Sequence, residues 1–105
     1  MQLRLETDKK HMTAFLRGEI DHHAAGRLRE EIDGAVVRGG ITALTLNFGD
    51  IGFMDSSGIG LILGRYKLMV SRGGTLKVCG VSDRHKQVMR MAGLQKLNIF
   101  EEEFV

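Results

Sequence analysis

Near the middle of the chain the hydrophobic period changes from two residues to about 3.6 within a short stretch, and no other feature restricts the possible folds so much. Thr42-Ala43-Leu44-Thr45-Leu46-Asn47-Phe48 alternates small or polar residues with apolar ones, as a strand does, and Gly49-Asp50 then marks a turn. From there on, Ile59, Ile62, Leu63, Tyr66, Met69 and Val70 recur every three or four residues, which places them on one face of a helix. Asp55-Ser56-Ser57-Gly58 therefore stands at a helix N-terminus. Backbone N–H groups lack partners there and carry partial positive charge, so the short acceptors of Asp55, Ser56 and Ser57 suit the position. Capping alone needs one of the three. Two consecutive hydroxyls followed by glycines at 58, 60 and 64 leave a shallow surface that another macromolecule or a nucleotide can approach closely.

The flanking segments supply neighbours for this strand and helix. Leu3 and Leu5 alternate with Gln2, Arg4 and Glu6, and after the polar Asp8-Lys9-Lys10 the run Met12–Leu16 resumes strand-like composition, which predicts a hairpin ended by Gly18. Asp21 is placed to cap a helix whose inward stripe is Ala25, Leu28, Ile32, Ala35 and Val36, with Gly39-Gly40 as the stop. The central helix ends near Ser71-Arg72-Gly73-Gly74, and Thr75–Val81 alternates as a further strand. Ser82 or Asp83 caps a third helix with Val88, Met89 and Ala92 inward and Gly93 at its close, and Asn98-Ile99-Phe100 reads as a last short strand. Strands separated by helices require crossover connections, which are right-handed and lay helices against a sheet. The expected architecture is a single α/β domain over residues 1–105, a mixed β-sheet of four to five strands packed with helices.

At 105 residues and 43% hydrophobic content the chain can bury one core and not two. Its 15 basic and 13 acidic residues are spread along the sequence, so the net charge of +2 leaves no basic arm or patch to argue for nucleic acid or a membrane surface. The N-terminal residues lack the apolar run of a signal peptide and no segment is long enough to cross a bilayer, so a cytoplasmic location is expected. Glu101-Glu102-Glu103 reads as a solvated end. The lone Cys79 excludes an intramolecular disulfide, and its alternating apolar setting predicts a buried, inert thiol.

Enzymatic chemistry finds little support. His22 and His23 are adjacent and point in different directions on a helix, and His11 and His85 bear no ligand spacing to them, so no metal site is expected. A serine hydrolase would need a base for Ser56 or Ser57, and only a distant His11 or His22 could provide it. The dinucleotide pattern Gly58-x-Gly60-x-x-Gly fails because position 63 is Leu63 and the glycine falls at Gly64, and no Walker lysine follows a glycine loop. Two accessible hydroxyls at a helix start are better suited to being modified than to modifying.

Three stretches carry a family resemblance: Gly18-Glu19-Ile20-Asp21-His22-His23, the run from Phe53 through Lys67, and Gly73-Gly74 followed by Leu76, Val78 and Cys79. Through them the chain resembles the bacterial anti-sigma-factor antagonists of the STAS-domain family, and within it the branch acting on the anti-sigma-F factor of spore-forming bacteria. The resemblance implies a non-catalytic domain without cofactor, a monomer when free, whose partner is an anti-sigma factor that is also a serine kinase. It implies that the kinase inactivates the domain by phosphorylating the second serine of Asp-Ser-Ser-Gly, here Ser57, and that a phosphatase restores the hydroxyl. Asp21 matches a position that contacts the anti-sigma factor, so Asp21, Asp55, Ser56, Ser57, Gly58 and Gly60 form the expected partner-binding set. The alternatives are a STAS module of a stress-response pathway and a nucleotide-binding regulatory domain. Related chains continue into a further short helix beyond the position of Phe100, whereas this sequence ends at Val105, so any departure from the family fold is expected at the C-terminal end.

Overall fold

The computed structural model describes residues 2–102. Strands β1 (Gln2–Asp8) and β2 (His11–Ile20) form the expected antiparallel hairpin, with Leu3 opposite Leu16 and Leu5 opposite Ala14. Helix α1 (His22–Gly39), strand β3 (Ala43–Met54), helix α2 (Ser56–Ser71), strand β4 (Thr75–Cys79) and helix α3 (Asp83–Met91) follow, and Leu94–Leu97 makes one turn of 3₁₀ helix. The strands lie in the order β1-β2-β3-β4, and β3 pairs in parallel with both β2 and β4. The result is a single α/β domain with a mixed four-stranded sheet. The expected last strand at 98–100 is reduced to one parallel bridge between Phe100 and Val78, where the Val78 N–H donates to the Ile99 carbonyl (2.8 Å) and the Glu101 N–H to that of Val78 (3.1 Å). Residues 103–105 of the C-terminal end lie outside the described residues.

Each crossover moves one strand further in the same direction, so right-handed connections put the helices on one face of the sheet. Burial follows this geometry. Met12, Ala14 and Leu16 of β2, Leu44, Leu46 and Phe48 of β3, and Leu76 and Val78 of β4 are buried, and they share a core with Leu28, Ile32 and Val36 of α1, Leu61, Ile62 and Met69 of α2 and Met89 of α3. The other face carries Thr13, Phe15, Thr45, Asn47, Lys77 and Cys79, with the His11 ring nitrogen Nε2 3.0 Å from the Thr45 hydroxyl.

Several local expectations are corrected. Gly18 does not end β2 and Gly49-Asp50 is not a turn; β2 runs on to Ile20 and β3 to Met54. The register explains why both segments read as breaks. Phe15 pairs with Asn47, Arg17 with Asp50, Gly18 with Ile51 and Glu19 with Phe53, so β3 carries an extra residue near Gly49 and another at Gly52. Each bulge shifts the alternation by one, and the buried positions of β3 accordingly step from Phe48 to Ile51 and to Met54. The bulges take residues normally found in turns, and Gly18 opposite them adopts φ 109°, a conformation that favours glycine.

In α2 the buried stripe is Gly58, Leu61, Ile62, Arg65 and Met69; the expected Ile59, Leu63 and Tyr66 are only half-buried and Val70 is exposed. In α1 Ala24 is more deeply buried than Ala25 or Ala35, and α1 ends against Gly40 as expected. Ser82 is the cap of α3, which buries His85 and Met89 while Val88 and Ala92 are exposed. Strand β4 stops at Cys79, before the expected Val81. Cys79 is half-buried; burial first, then the nearby Glu101 and Glu102 carboxylates, pushes its thiol up, which favours the unreactive protonated form.

Candidate functional site

Parallel strands β2 and β3 end side by side, with Ile20 paired to Met54, and the next residue of each segment is an aspartate. Asp21 Oδ1 accepts the Ala24 N–H at 2.8 Å and Asp55 Oδ1 accepts the Ser57 N–H at 2.7 Å, so each aspartate caps the helix that follows it. The Asp55 N–H donates to the Ile20 carbonyl at 3.2 Å, which ties the two caps together. Because both helices return along parallel strands, they run parallel to each other, and their positive N-terminal ends meet at the same edge of the domain. Asp21 is solvent-exposed, and the Ala24 N–H holds its carboxyl below the usual carboxylate range.

Between the two helices runs a groove of about 480 Å³, lined by His22, Ala25, Gly26 and Arg29 of α1 and by Ser57, Gly60, Leu61, Gly64 and Arg65 of α2. Its bare floor follows from sequence, since a Cβ at Gly26, Gly60 or Gly64 would meet nothing within 4 Å. Ser57 is half-buried in the groove, whereas Ser56 is exposed and does not line it. Asp21, Asp55, Ser56, Ser57 and Gly60 are thus brought to one edge. Gly58 is the exception among the expected partner-binding residues. It is buried, and a Cβ there would overlap Cγ and Sδ of Met54, so its lack of a side chain serves helix-to-strand packing and does not open the serines to solvent.

The inner end of the groove is closed by a buried charge that the sequence reading missed. Arg65 is 5% exposed and meets Asp33 of α1 through Nε–Oδ1 (2.8 Å) and Nη2–Oδ2 (3.2 Å), with Nη1 donating to the Leu61 carbonyl at 3.3 Å. The Nε contact is short but poorly aligned as a hydrogen bond, so Nε and Oδ1 remain without a well-formed partner among the described residues. Burial raises the Asp33 carboxyl and lowers the Arg65 guanidinium, each effect outweighing the attraction between the two charges. Arg65 falls in line with Leu61, Ile62 and Met69 on the buried face of α2, a face that apolar residues nearly all round the helix hide in the sequence.

Other chemistries do not assemble. Neither serine hydroxyl is hydrogen-bonded to a histidine among the described residues, although His22 reaches the groove. Among the described residues no His, Cys, Asp or Glu cluster could hold a metal ion, and no helix is long and apolar enough to cross a membrane. A larger cavity of about 690 Å³ lies away from the serines, between the hairpin and α1, where Arg4, Arg17 and Arg27 are offset by Glu31 and Asp50.

With this geometry in hand, comparison with known proteins is specific. The family model of the STAS domain matches residues 2–103. The anti-sigma F factor antagonist of Paenibacillus polymyxa is 37% identical over 97 residues, covering 92% of this chain and 83% of that protein. The anti-sigma factor antagonist SpoIIAA in its unphosphorylated form superposes with a TM-score of 0.84 at 31% identity, over 98% of this chain and 89% of that one. The Bacillus cell fate determinant SpoIIAA in its phosphorylated form gives 0.78 at 31% identity, over 98% and 92% respectively.

Proposed function

The chain belongs to the STAS-domain family of anti-sigma factor antagonists, and from that premise we propose that its unphosphorylated form binds an anti-sigma factor and so releases a sigma factor, until phosphorylation of Ser57 switches it off. The partner is a serine kinase. It transfers the terminal phosphoryl group of ATP to the Ser57 hydroxyl, releasing ADP and a proton, and a phosphatase hydrolyses the ester to restore the free serine. The domain itself is a regulatory binder and not an enzyme.

The observation that carries this reading is the placement of Ser57. It lines a groove with bare glycines on the first turn of α2, next to the exposed Asp21 cap of α1, so a kinase docked on this edge can reach hydroxyl and carboxylate together. A similar protein exists in phosphorylated and unphosphorylated forms with this same fold, which supports a modification that leaves the architecture intact. At a helix N-terminus a phosphate of roughly −1.5 to −2 charge meets favourable N–H groups, so inactivation acts through the contact surface.

Incubation with an anti-sigma kinase and ATP, followed by mass spectrometry, tests the assignment. Wild type and Ser56→Ala should gain one phosphate and Ser57→Ala none; modification of Ser57→Ala at the normal rate would remove Ser57 from the switch. Presenting kinases of both the sporulation and the stress-response branches identifies the pathway by which one forms the tight complex.

A further inference from the structure

The groove beside Ser57 is not neutral. Besides Arg65, whose guanidinium is taken up by Asp33, it is lined by Arg29 and His22. Arg29 is exposed and makes no ion pair or side-chain hydrogen bond among the described residues. Its charge nonetheless acts on both members of the Asp33–Arg65 pair, which places it near their end of the groove.

The pair also sets the level of one helix against the other. Arg65 stands opposite Asp33, and the helices are parallel, so one turn toward the N-termini sets Arg29 against Leu61, and a second sets Ala25 against Ser57. Arg29 thus starts about 6 Å beyond Ser57 along the axes. In the unmodified protein the Arg29 charge lies near the Asp33–Arg65 end, and a floor that Gly26 and Gly60 leave bare gives its long side chain room to turn toward a phosphate on Ser57. His22 lies about one turn on the other side of the serine's level.

We propose that the phosphate on Ser57 is received within its own molecule by Arg29, with His22 flanking it, in the groove between α1 and α2. This rests on Ser57 being the modified residue, and it changes what the modification does to the surface. A guanidinium can hold two phosphate oxygens at once, so the phosphate lies along the groove and fills it instead of standing out from the corner. The off state is then a filled groove with its charge partly neutralised. Asp21 and Asp55 repel the phosphate and Asp33 competes for Arg29; Asp33 already engages Arg65 through both carboxylate oxygens, which leaves Arg29 the less committed cation.

The test needs no kinase. Phosphoserine is installed at position 57 during translation, and the phosphorus NMR signal is followed as a function of pH at low salt. Arg29→Gln should raise the midpoint of the phosphate titration by about 1 unit, because a neighbouring cation favours the dianion. Arg27→Gln, which removes the same charge from α1 on the side of the larger cavity, should move it far less. Arg29→Lys should recover part of the shift. Equal midpoints in wild type and Arg29→Gln, or equal displacement by Arg29→Gln and Arg27→Gln, would overturn the proposal. Since Arg29 is exposed, the unmodified variants should melt with the wild type. Failure to bind an anti-sigma factor would count against the proposed function and leave this titration untouched.

Discussion

Replacing Gly60 by alanine separates what the groove needs from what the fold needs. Gly60 is exposed within α2, and an added Cβ meets no atom within 4 Å, so no packing is lost. Alanine is favoured over glycine inside a helix by about 0.8–1.0 kcal/mol, which for a domain of this size raises Tm by about 4 °C. Gly58→Ala carries the same propensity gain, but its Cβ overlaps the buried Met54 side chain, and overpacking of that kind costs about 1–3 kcal/mol. The net effect should be a loss of up to about 2 kcal/mol. Thermal melting followed by circular dichroism gives both stabilities, and calorimetric titration with the anti-sigma factor gives the affinities. Gly60→Ala should be the more stable protein and the weaker binder, since its methyl group occupies the surface that the partner approaches. If it binds as tightly as wild type, the bare groove floor is not a contact surface; if Gly58→Ala melts as high as Gly60→Ala, the packing argument at Met54 fails.

Two further substitutions test the electrostatics. Asp21→Asn keeps a good N-cap while removing the carboxylate, so Tm should hardly change while affinity for the anti-sigma factor falls; unchanged affinity would limit Asp21 to capping. His85 is 3% exposed, and its Nδ1 has no hydrogen-bond partner among the described residues. Burial first, then the charge of Arg84, holds its imidazole below the ordinary histidine value of 6.5. Its neutral form is therefore favoured by folding, and the stability it confers is full above that unfolded value and lost as pH falls from there through the lower folded value. The Tm advantage of wild type over His85→Gln should shrink over this acid window, and parallel melting curves would contradict the assignment.

Much of this was legible in the chain, and the gaps have local causes. The hairpin, the Asp21 cap, the Gly39-Gly40 stop and the helix start at Asp55-Ser56-Ser57 each rest on residues whose chemistry suits few other positions. The face of α2 was not legible in the same way, because Ile59, Leu61, Ile62, Leu63, Leu68 and Val70 put apolar groups nearly all round the helix. Contact with the sheet decided which of them are covered, and it turned Arg65 inward toward Asp33, a residue on a different helix. Gly49-Asp50 has turn composition, and only pairing with β2 shows it to be a bulge. The grouping of Asp21 with Ser57 followed from resemblance, whereas the Arg29 and His22 walls of the groove needed the relative level of two helices, which no local pattern encodes.

The central claim is that one phosphate on Ser57 acts on the contact surface while the fold stays as it is. Affinity of the unmodified and the Ser57-phosphorylated protein for the same anti-sigma factor, measured by calorimetric titration beside melting curves of the two forms, tests it most directly. A loss of about 3 kcal/mol, some two orders of magnitude in Kd, with nearly coincident melting is the expected result. Equal affinities would contradict the switch, and weakened binding accompanied by a collapse of Tm would show that phosphate acts by disrupting the domain.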